Sequence, residues 1–578
     1  MIIYYHPKGW CYSYIHFIDN RYIDTKAFIF SMKERLLIFF NLLAIGLFAQ
    51  EAHFFTPEKP KLVVGIVVQQ MRYDYLQRYW EKLGDEGFKR LINEGALCKN
   101  ANYNYALTQS TAGHATVVTG ANPSVHGIIS NTWYNRLKNE KVGAVNDDEY
   151  KTVGGNYDAG NYSPKNLMTS TFSDELRLSS YFRSKVISIS LDAPSSVLMS
   201  GHISNAAYWY DDHTGNWITS SYYMDSLPNW ITEFNQKAFP DVYMDREWNT
   251  TYPIASYMES LHDGSTYEMG IYKQKTFPYM LKFLRKKSKQ SGDYSLLKYT
   301  PYGNMYTKDM AISALVNEEL GKDDATDVLM ISFAATEYIG NVFGPTSIEM
   351  EDAIIKLDKD IAHLLKFLDE EIGKKNLMVF LTSDNGMAYN PQYLIDLNMP
   401  AGNFLPNKTI YLLGSYLRAI YGSGEWVETY MDKQIYLNRT LIEDSKIPLE
   451  EIQTKSTQFL LQFNTIANAI SSNTLETTYF SSGIFNKVQN SFNQERSGDI
   501  IINLRPGWVE KSSDKVSEHN SPYTYDTHVP LIFYGWRITH QSIEDFVDIT
   551  DIAPTISMLL DIPFPNGFTG EPIMTLVR

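Results

Sequence analysis

The sequence predicts an α/β protein: a three-layer sandwich with a largely parallel central sheet, helices on both faces and two cap insertions. Apolar runs of strand length recur along the chain, and segments with helical spacing of apolar residues separate them. Runs that are apolar at every position are typical of strands buried on both faces, as in parallel sheets. Strands that alternate with helices favour this layered architecture.

Five runs carry the strand prediction, and they cover residues 61–68, 185–191, 327–333, 377–382 and 529–535. A helix is predicted at about 75–93. A second helix is predicted between residues 347 and 373, because apolar residues recur there every three or four positions at Ile354, Leu357, Ile361, Leu364 and Leu368.

Two segments break the alternation. Residues 202–300 are rich in Tyr, Trp and Asp, and residues 401–498 are polar and rich in Asn, Ser and Thr. We expect both to be cap insertions at the carboxyl edge of the sheet, where α/β proteins place their sites. The core would then consist of residues 51–201, 301–400 and 499–578.

The first fifty residues have the pattern of a leader. Charged residues 32–35 precede an apolar run, 36–48, and Ala49-Gln50-Glu51 follows it, which is typical of a secretory signal peptide over residues 32–50. Residues 1–31 are interpreted as an upstream extension. The alternative, a membrane anchor, is disfavoured because about twenty apolar residues are needed to span a bilayer. We expect an exported, periplasmic protein with no membrane span in its mature form.

Charge and cysteine content argue against a nucleic-acid-binding protein and against a disulfide-stabilised one. The net charge is −15 and no basic stripe is present, which argues against nucleic-acid binding. The chain has two cysteines, Cys11 and Cys98, and only Cys98 would remain after cleavage. The mature protein is therefore expected to have no internal disulfide.

Polar side chains lie near the ends of the predicted strands. Gln69 follows the first strand, and Ser110 precedes an apparent helix. Further polar residues after the later strands, or just before the last, are Glu337, Asn341, Asp384, Asn385 and 525–528. Because strand ends converge at one edge of an α/β sheet, these residues are expected to meet in one pocket.

Residues 110–128 resemble the nucleophile segment of type I phosphodiesterases and nucleotide pyrophosphatases, a branch of the alkaline phosphatase superfamily. They are closer still to the zinc-dependent, phosphate-irrepressible alkaline phosphatases of bacteria. Similar segments follow in register at 207–211, 382–384, 525–530 and 551–555. The resemblance implies an alkaline phosphatase-like fold. It also implies, as ancestral reaction, phosphate ester hydrolysis by two zinc ions and a Ser or Thr nucleophile.

The resemblance places the catalytic nucleophile at Ser110. It places six metal-ligand positions at Gln69, Glu337, Asn341, Asp384, Asn385 and His528, of which only Asp384 and His528 keep the family's residue type. Neutral amides are poor zinc ligands, so the two-zinc site is expected to be degenerate. His519, nine residues before His528, is interpreted as a solvated loop histidine.

The substrate-binding positions that the resemblance implies are also altered. Asn131 matches a phosphate-contacting Asn of the family. Asp192 and Pro194 stand where the family has a phosphate-binding Lys and Arg. A phosphate dianion would therefore lose both cationic partners.

Two functions remain open. The first, which we favour, is a pseudoenzyme that binds a polar small ligand or an envelope partner. The metal ligands and the phosphate-binding Lys and Arg are lost together. An enzyme with an altered but working site would have reason to keep either the metal ligands or the phosphate-binding cations. The alternative is an active phosphomonoesterase or phosphodiesterase with an altered metal site that uses Ser110. The pocket is expected to hold water or a hard cation, Ca²⁺ or Mg²⁺, which prefers oxygen ligands.

Overall fold

The computed structural model describes residues 59–155, 158–287 and 293–577. The predicted upstream extension and signal peptide lie outside the described residues. A ten-stranded sheet forms the centre of the described chain. Its strands, in spatial order, are Gln541–Asp548, Ala96–Asn102, Leu531–Gly535, Leu377–Thr382, Leu62–Val68, Asp327–Phe333, Val186–Ser190, Ala206–Tyr210, Trp217–Ser220 and Thr152–Val153.

The sheet is largely parallel, as predicted. Leu531–Gly535 and Trp217–Ser220 run opposite to the other eight strands. In the parallel centre, Val67 is paired with both Ser332 and Thr382. The residues that follow these three strands therefore emerge side by side at one edge of the sheet.

Helices cover both faces of the sheet, which confirms the three-layer prediction. On strand Leu62–Val68, the even-numbered residues pack into a core with helices Pro301–Asn317 and Ile348–Glu371. Val63 and Val67 point to the opposite face and share a core with helices Ser110–Thr119 and Ile552–Leu559. This alternation explains why the strand is apolar at every position.

The predicted strands agree with the structure to within two residues, and the predicted 347–373 helix is Ile348–Glu371. The predicted helix at 75–93 is instead divided into Asp74–Arg78, a 3-10 turn at Trp80–Lys82, and Phe88–Glu94. The Asp358 carboxylate causes the break, since it accepts hydrogen bonds from the backbone N–H of Gly84 and Phe88, each at 2.7 Å.

Shorter elements complete the core. A hairpin pairs Thr132–Asn135 with Glu140–Gly143. The remaining core helices are Pro123–His126, Phe172–Ser179, Ala193–Ser200, Ala335–Phe343, Pro391–Asp396, Thr524–Thr527 and Met574–Val577. Further 3-10 turns lie at Ile254–Ser256, Ser295–Tyr299, Lys374–Asn376 and Ile549–Asp551.

The first predicted insertion, 202–300, contains two strands of the main sheet, Ala206–Tyr210 and Trp217–Ser220. Only the segment after them forms a cap. That segment holds helices Asn229–Gln236, Phe239–Met244 and Leu281–Lys287, and a two-stranded sheet of Glu247–Trp248 and Tyr279–Met280. Its aromatic residues pack against the core face that contains helix Pro301–Asn317.

The second predicted insertion, 401–498, has a sheet and a hydrophobic core of its own. The strand order is Val427–Met431, Gln434–Leu437, Ile500–Leu504 and Ile466–Ser471. Strand Gly402–Phe404 pairs with Trp508–Glu510, so the unit extends past residue 498. Its helices are Pro406–Tyr421, Arg439–Asp444, Leu449–Leu460, Ser472–Thr477 and Gly483–Ser491.

Within the described residues, no helix is both long enough and apolar enough to cross a membrane.

Candidate functional site

A cavity of about 400 Å³ opens at the carboxyl edge of the parallel strands. Most of the predicted site residues line it, namely Gln69, Ser110, Asn131, Asp192, Pro194, Glu337 and Asn341. Asp384, Asn385 and His528 do not. The sequence did not single out several further lining residues, which are Thr111, Ser195, Tyr299, Tyr338, Val342, Asp514 and Lys515.

The Gln69 side chain lies among three oxygen acceptors. Its amide Nε2, whose two N–H groups they share, is 2.8 Å from Asp192 Oδ2, 2.8 Å from Ser195 Oγ and 2.9 Å from Ser332 Oγ. Gln69 follows strand Leu62–Val68, Ser332 lies on the neighbouring strand and Asp192 follows the next one. The amide therefore reaches across one strand to join two predicted site positions.

Asp192 has a structural role on the other side of this contact. It caps helix Ala193–Ser200, because its Oδ1 accepts from the Ser195 backbone N–H at 2.9 Å. The same oxygen accepts from Ser195 Oγ at 2.6 Å, and Oδ2 also accepts from Ser190 Oγ at 2.9 Å. Both carboxylate oxygens are thus occupied by donors from the protein.

Ser110 is the first residue of helix Ser110–Thr119, and its hydroxyl donates to Asp384 Oδ2. The other oxygen of Asp384 accepts from the Gln70 backbone N–H at 2.9 Å. Burial raises the pKa of Asp384, although the nearby His114 and the Ser110 hydrogen bond act in the opposite direction. The predicted nucleophile and the retained family Asp therefore contact each other directly.

Glu337 is paired with His519, a residue expected to be solvated. His519 is only 4% exposed, and its Nε2 lies 3.8 Å from Glu337 Oε1. Its Nδ1 donates to the Thr108 carbonyl at 2.8 Å, which turns Nε2 towards Glu337. Burial alone raises the pKa of Glu337, but the nearby His519 imidazole offsets this effect and holds that pKa below its usual value.

The structure places His528 away from this cluster. Its Nε2 donates to the Lys99 carbonyl at 2.8 Å, and its ring stacks on Tyr73 with centroids 4.3 Å apart. The backbone at His528 bridges to Asn102 at the neighbouring strand, and His528 does not line the cavity. The histidine that lies beside Glu337 is His519, which is buried and not solvated as expected.

Three amide side chains around the site have polar atoms with no partner among the described residues. Asn385 is fully buried and both of its side-chain polar atoms are unpaired. Gln70 is 1% exposed with both atoms unpaired, and Asn341 leaves its Oδ1 unpaired. Buried amides without partners are rare and costly, and of these three only Asn341 lines the cavity, where water or a polar ligand could reach its Oδ1.

Asn131 and Pro194 complete the predicted substrate-binding positions. The Asn131 amide donates to Gln109 Oε1 at 3.1 Å, and its Oδ1 accepts from the Thr111 backbone N–H at 3.2 Å. Pro194 lies in the first turn of helix Ala193–Ser200, where a missing N–H is tolerated. Neither residue offers a cation to a ligand.

The sequence matches the model of the family described as "Type I phosphodiesterase / nucleotide pyrophosphatase" over residues 63–529. The chain belongs to this branch of the alkaline phosphatase superfamily.

Relatives of known name span nearly the same length. The chain is 37% identical to alkaline phosphatase PafA of Elizabethkingia meningoseptica over 526 residues, which cover 90% of this chain and 95% of PafA. It is 37% identical to alkaline phosphatase PhoV of Synechococcus elongatus over 525 residues, which cover 90% of this chain and 94% of PhoV. The crystal structure of wild-type PafA superposes with a TM-score of 0.86, covering 90% of this chain and 99% of that one.

The residues of this family member do not fit the family's two zinc ions. Among the described residues, no group of three or more His, Cys, Asp or Glu side chains is placed to hold a metal ion. Asp384 accepts from Ser110 and Gln70, and Glu337 is paired with His519. The carboxylates that remain are therefore used by protein donors, and the vacated ligand positions are neutral amides.

Proposed function

We propose that the chain is an exported binding protein on the phosphatase fold, and that it has lost two-zinc phosphate ester hydrolysis. One observation carries this proposal: the hydrogen bond from Gln69 Nε2 to Asp192 Oδ2. The family resemblance assigns a metal ligand to the first position and a phosphate-binding Lys to the second. Here the two side chains bind each other, so neither is directed at a metal or a phosphate.

The charge of the cavity favours a neutral or cationic polar ligand over a phosphate ester. Its lining has three carboxylates, Asp192, Glu337 and Asp514, and one ammonium, Lys515. His519, which does not line the cavity, lies beside Glu337 and offsets part of its negative charge. A phosphate dianion would face a net negative protein surface, and this repulsion is unfavourable in a partly buried site. The unpaired Oδ1 of Asn341, which lines the cavity, supplies an acceptor for a polar ligand.

The alternative is an active hydrolase that uses Ser110, and two observations favour it. The hydroxyl of Ser110 lies at the start of a ten-residue helix and contacts the retained Asp384. The chain is also 37% identical to PafA, which is named an alkaline phosphatase.

Hydrolysis assays with a matched variant separate the two functions. The exported form and its Ser110→Ala variant are assayed on p-nitrophenyl phosphate and on bis-p-nitrophenyl phosphate, with and without added zinc. We expect equal, background rates for both proteins. A rate that needs Ser110 and exceeds background would overturn the binding-protein proposal and favour the alternative.

Export is the second part of the proposal. The charged and apolar pattern of residues 32–50 supports it. Full-length protein expressed in a Gram-negative host should be recovered from the periplasm with an N-terminus near residue 51, as read by intact mass. Recovery in the membrane fraction with the apolar run retained would contradict export as a soluble protein.

A further inference from the structure

A second cavity, of about 470 Å³, lies where the Thr132–Asn135 hairpin strand meets the second insertion. Three arginines line it: Arg136, Arg439 and Arg496. The chain as a whole has a net charge of −15. A cavity with three guanidinium groups is therefore opposite in character to most of the molecule.

Two of the arginines are held by one buried carboxylate. Asp499 is fully buried, and Arg439 Nε donates to its Oδ1 at 2.8 Å. Arg136 Nη2 donates to Asp499 Oδ2 at 3.2 Å and to the Ser497 carbonyl at 2.8 Å. Asp499 thus fixes the guanidinium groups of Arg136 and Arg439, but its single negative charge balances only one of their two positive charges.

The third arginine is held by backbone carbonyls and an aromatic ring. Arg496 Nη1 donates to the carbonyls of Gly127 and Asn166, both at 2.6 Å. Its guanidinium carbon lies 4.9 Å from the centroid of the Trp133 ring. These contacts supply no compensating charge, and Glu495 is the one acidic residue that lines the cavity.

Each of the three guanidinium groups keeps N–H donors that a ligand could use. A guanidinium has five N–H groups. Within the described residues, the guanidinium nitrogens that bond protein acceptors are Nη2 of Arg136, Nε and Nη2 of Arg439 and Nη1 of Arg496. Arg136 Nε is buried and has no partner among them. The remaining N–H groups are already oriented, so binding would not have to order long flexible side chains.

We propose that this arginine cavity binds a tetrahedral oxyanion carried on a sugar-sized group, a phosphate or sulfate monoester. Guanidinium forks match such oxyanions in geometry and charge. The volume of about 470 Å³ suits a small ester rather than a bare ion. The site is separate from the Gln69 cavity and does not depend on the function proposed for it.

Calorimetric titration of the exported protein at low ionic strength tests this site. The probes are glucose 6-phosphate, glucose 6-sulfate and glucose. We expect at least one ester to bind and glucose not to bind, with affinity falling as salt is added. Tighter binding of either ester supports the proposal and identifies the preferred oxyanion.

Two variants locate the binding. Arg439→Gln removes a fork whose side chain is 43% exposed, so the fold should persist, and affinity should fall about tenfold. Arg439→Lys keeps the positive charge but loses the planar guanidinium group, and its affinity for the ester should fall less than that of Arg439→Gln. Arg183→Gln, which removes an exposed arginine outside this cavity, should leave ester affinity as in the parent. Absence of ester binding at millimolar concentration, equal affinity in Arg439→Gln and the parent, or an equal loss of affinity in Arg183→Gln would each overturn the proposal.

Discussion

The Gln69–Asp192 contact joins two substitutions that depend on each other. With a carboxylate at position 69, two anions would face each other across Ser332, and both would need a cation between them. With an amide at 69, the Asp192 carboxylate gains a donor at 2.8 Å and needs none. The pair is therefore an arrangement that needs no metal ion to be stable, which is why it carries the functional proposal.

Gln69→Asp should destabilise the protein if this reasoning holds. The change removes the donor shared by Asp192, Ser195 and Ser332 and adds a buried negative charge. We expect a loss of about 2–4 kcal/mol in the free energy of unfolding, measured by denaturant titration in the presence of chelator. Adding Asp192→Asn, which restores an amide donor, should recover part of it. Unchanged stability of the single variant would contradict the role assigned to Gln69.

We expect a buried acid away from the site to make the stability of the fold depend on pH. Glu349 is fully buried, one of its oxygens accepts from the Tyr279 hydroxyl and the other has no partner among the described residues. Burial raises its pKa to about 8, and burial together with the Glu349 charge raises that of Glu268 to about 9. The folded state therefore holds protons that the unfolded state has released, and stability falls as pH rises towards these values.

Glu349→Gln should remove much of this loss. Relative to the parent, the variant should gain on the order of 2 kcal/mol between about pH 6 and about pH 9, as followed by chemical unfolding. Glu370→Gln is the matched control, because Glu370 lies on the same helix with 62% of its side chain exposed. A stability difference that does not change with pH would show that Glu349 is ionised in the fold.

The contact between His519 and Glu337 could not be predicted from the sequence. Both histidines precede the same strand, and His528 lies in the segment that resembles the family. Which one reaches Glu337 depends on the loop before that strand, whose path is fixed by the Thr108 side chain. Its hydroxyl accepts from the backbone N–H of Asn520 and Ser521. Contacts between residues 411–413 positions apart leave no pattern in one sequence.

At the scale of elements, helix Ser110–Thr119 approaches the Asp384 segment closely because residue 113 is glycine. A Cβ at Gly113 would lie 2.1 Å from the Asp384 carbonyl oxygen, which is backbone and cannot rotate away. The close approach allows the Ser110 hydroxyl to contact the Asp384 carboxylate.

Gly113→Ala should destabilise the protein by about 1–3 kcal/mol, since the helix must move from the sheet. Gly414→Ala is the control: its added Cβ would meet only Arg418 Nη1, at 3.6 Å, in helix Pro406–Tyr421. That change should be neutral or stabilising, as alanine normally is within a helix. Denaturant unfolding of both variants measures the contrast, and equal effects would contradict the close-approach argument.

Strands were predictable because burial on both faces makes them apolar throughout, as in Asp327–Phe333. The boundary of the second insertion was predicted from polar composition alone, and it fell at residue 498. Strand Ile500–Leu504 lies beyond that boundary and is apolar, yet it belongs to the sheet of the second insertion. Apolar content reports burial, but it does not report which core a strand enters.

At the scale of the whole molecule, the fold is kept while residues at the site depart from the family pattern. The chain keeps the family architecture at a TM-score of 0.86 to PafA, while three of the six predicted metal positions, Gln69, Asn341 and Asn385, are amides. The packing that fixes the fold lies in the sheet cores, away from the cavity edge. Substitutions at the edge can therefore change function without loss of the fold.

Elemental analysis of the exported protein, purified without chelator or added metal, tests the central claim most directly. We predict less than stoichiometric zinc, because the site offers amides and carboxylates that already have protein partners. About two zinc ions per chain, the family's complement, would contradict it and restore the hydrolase function.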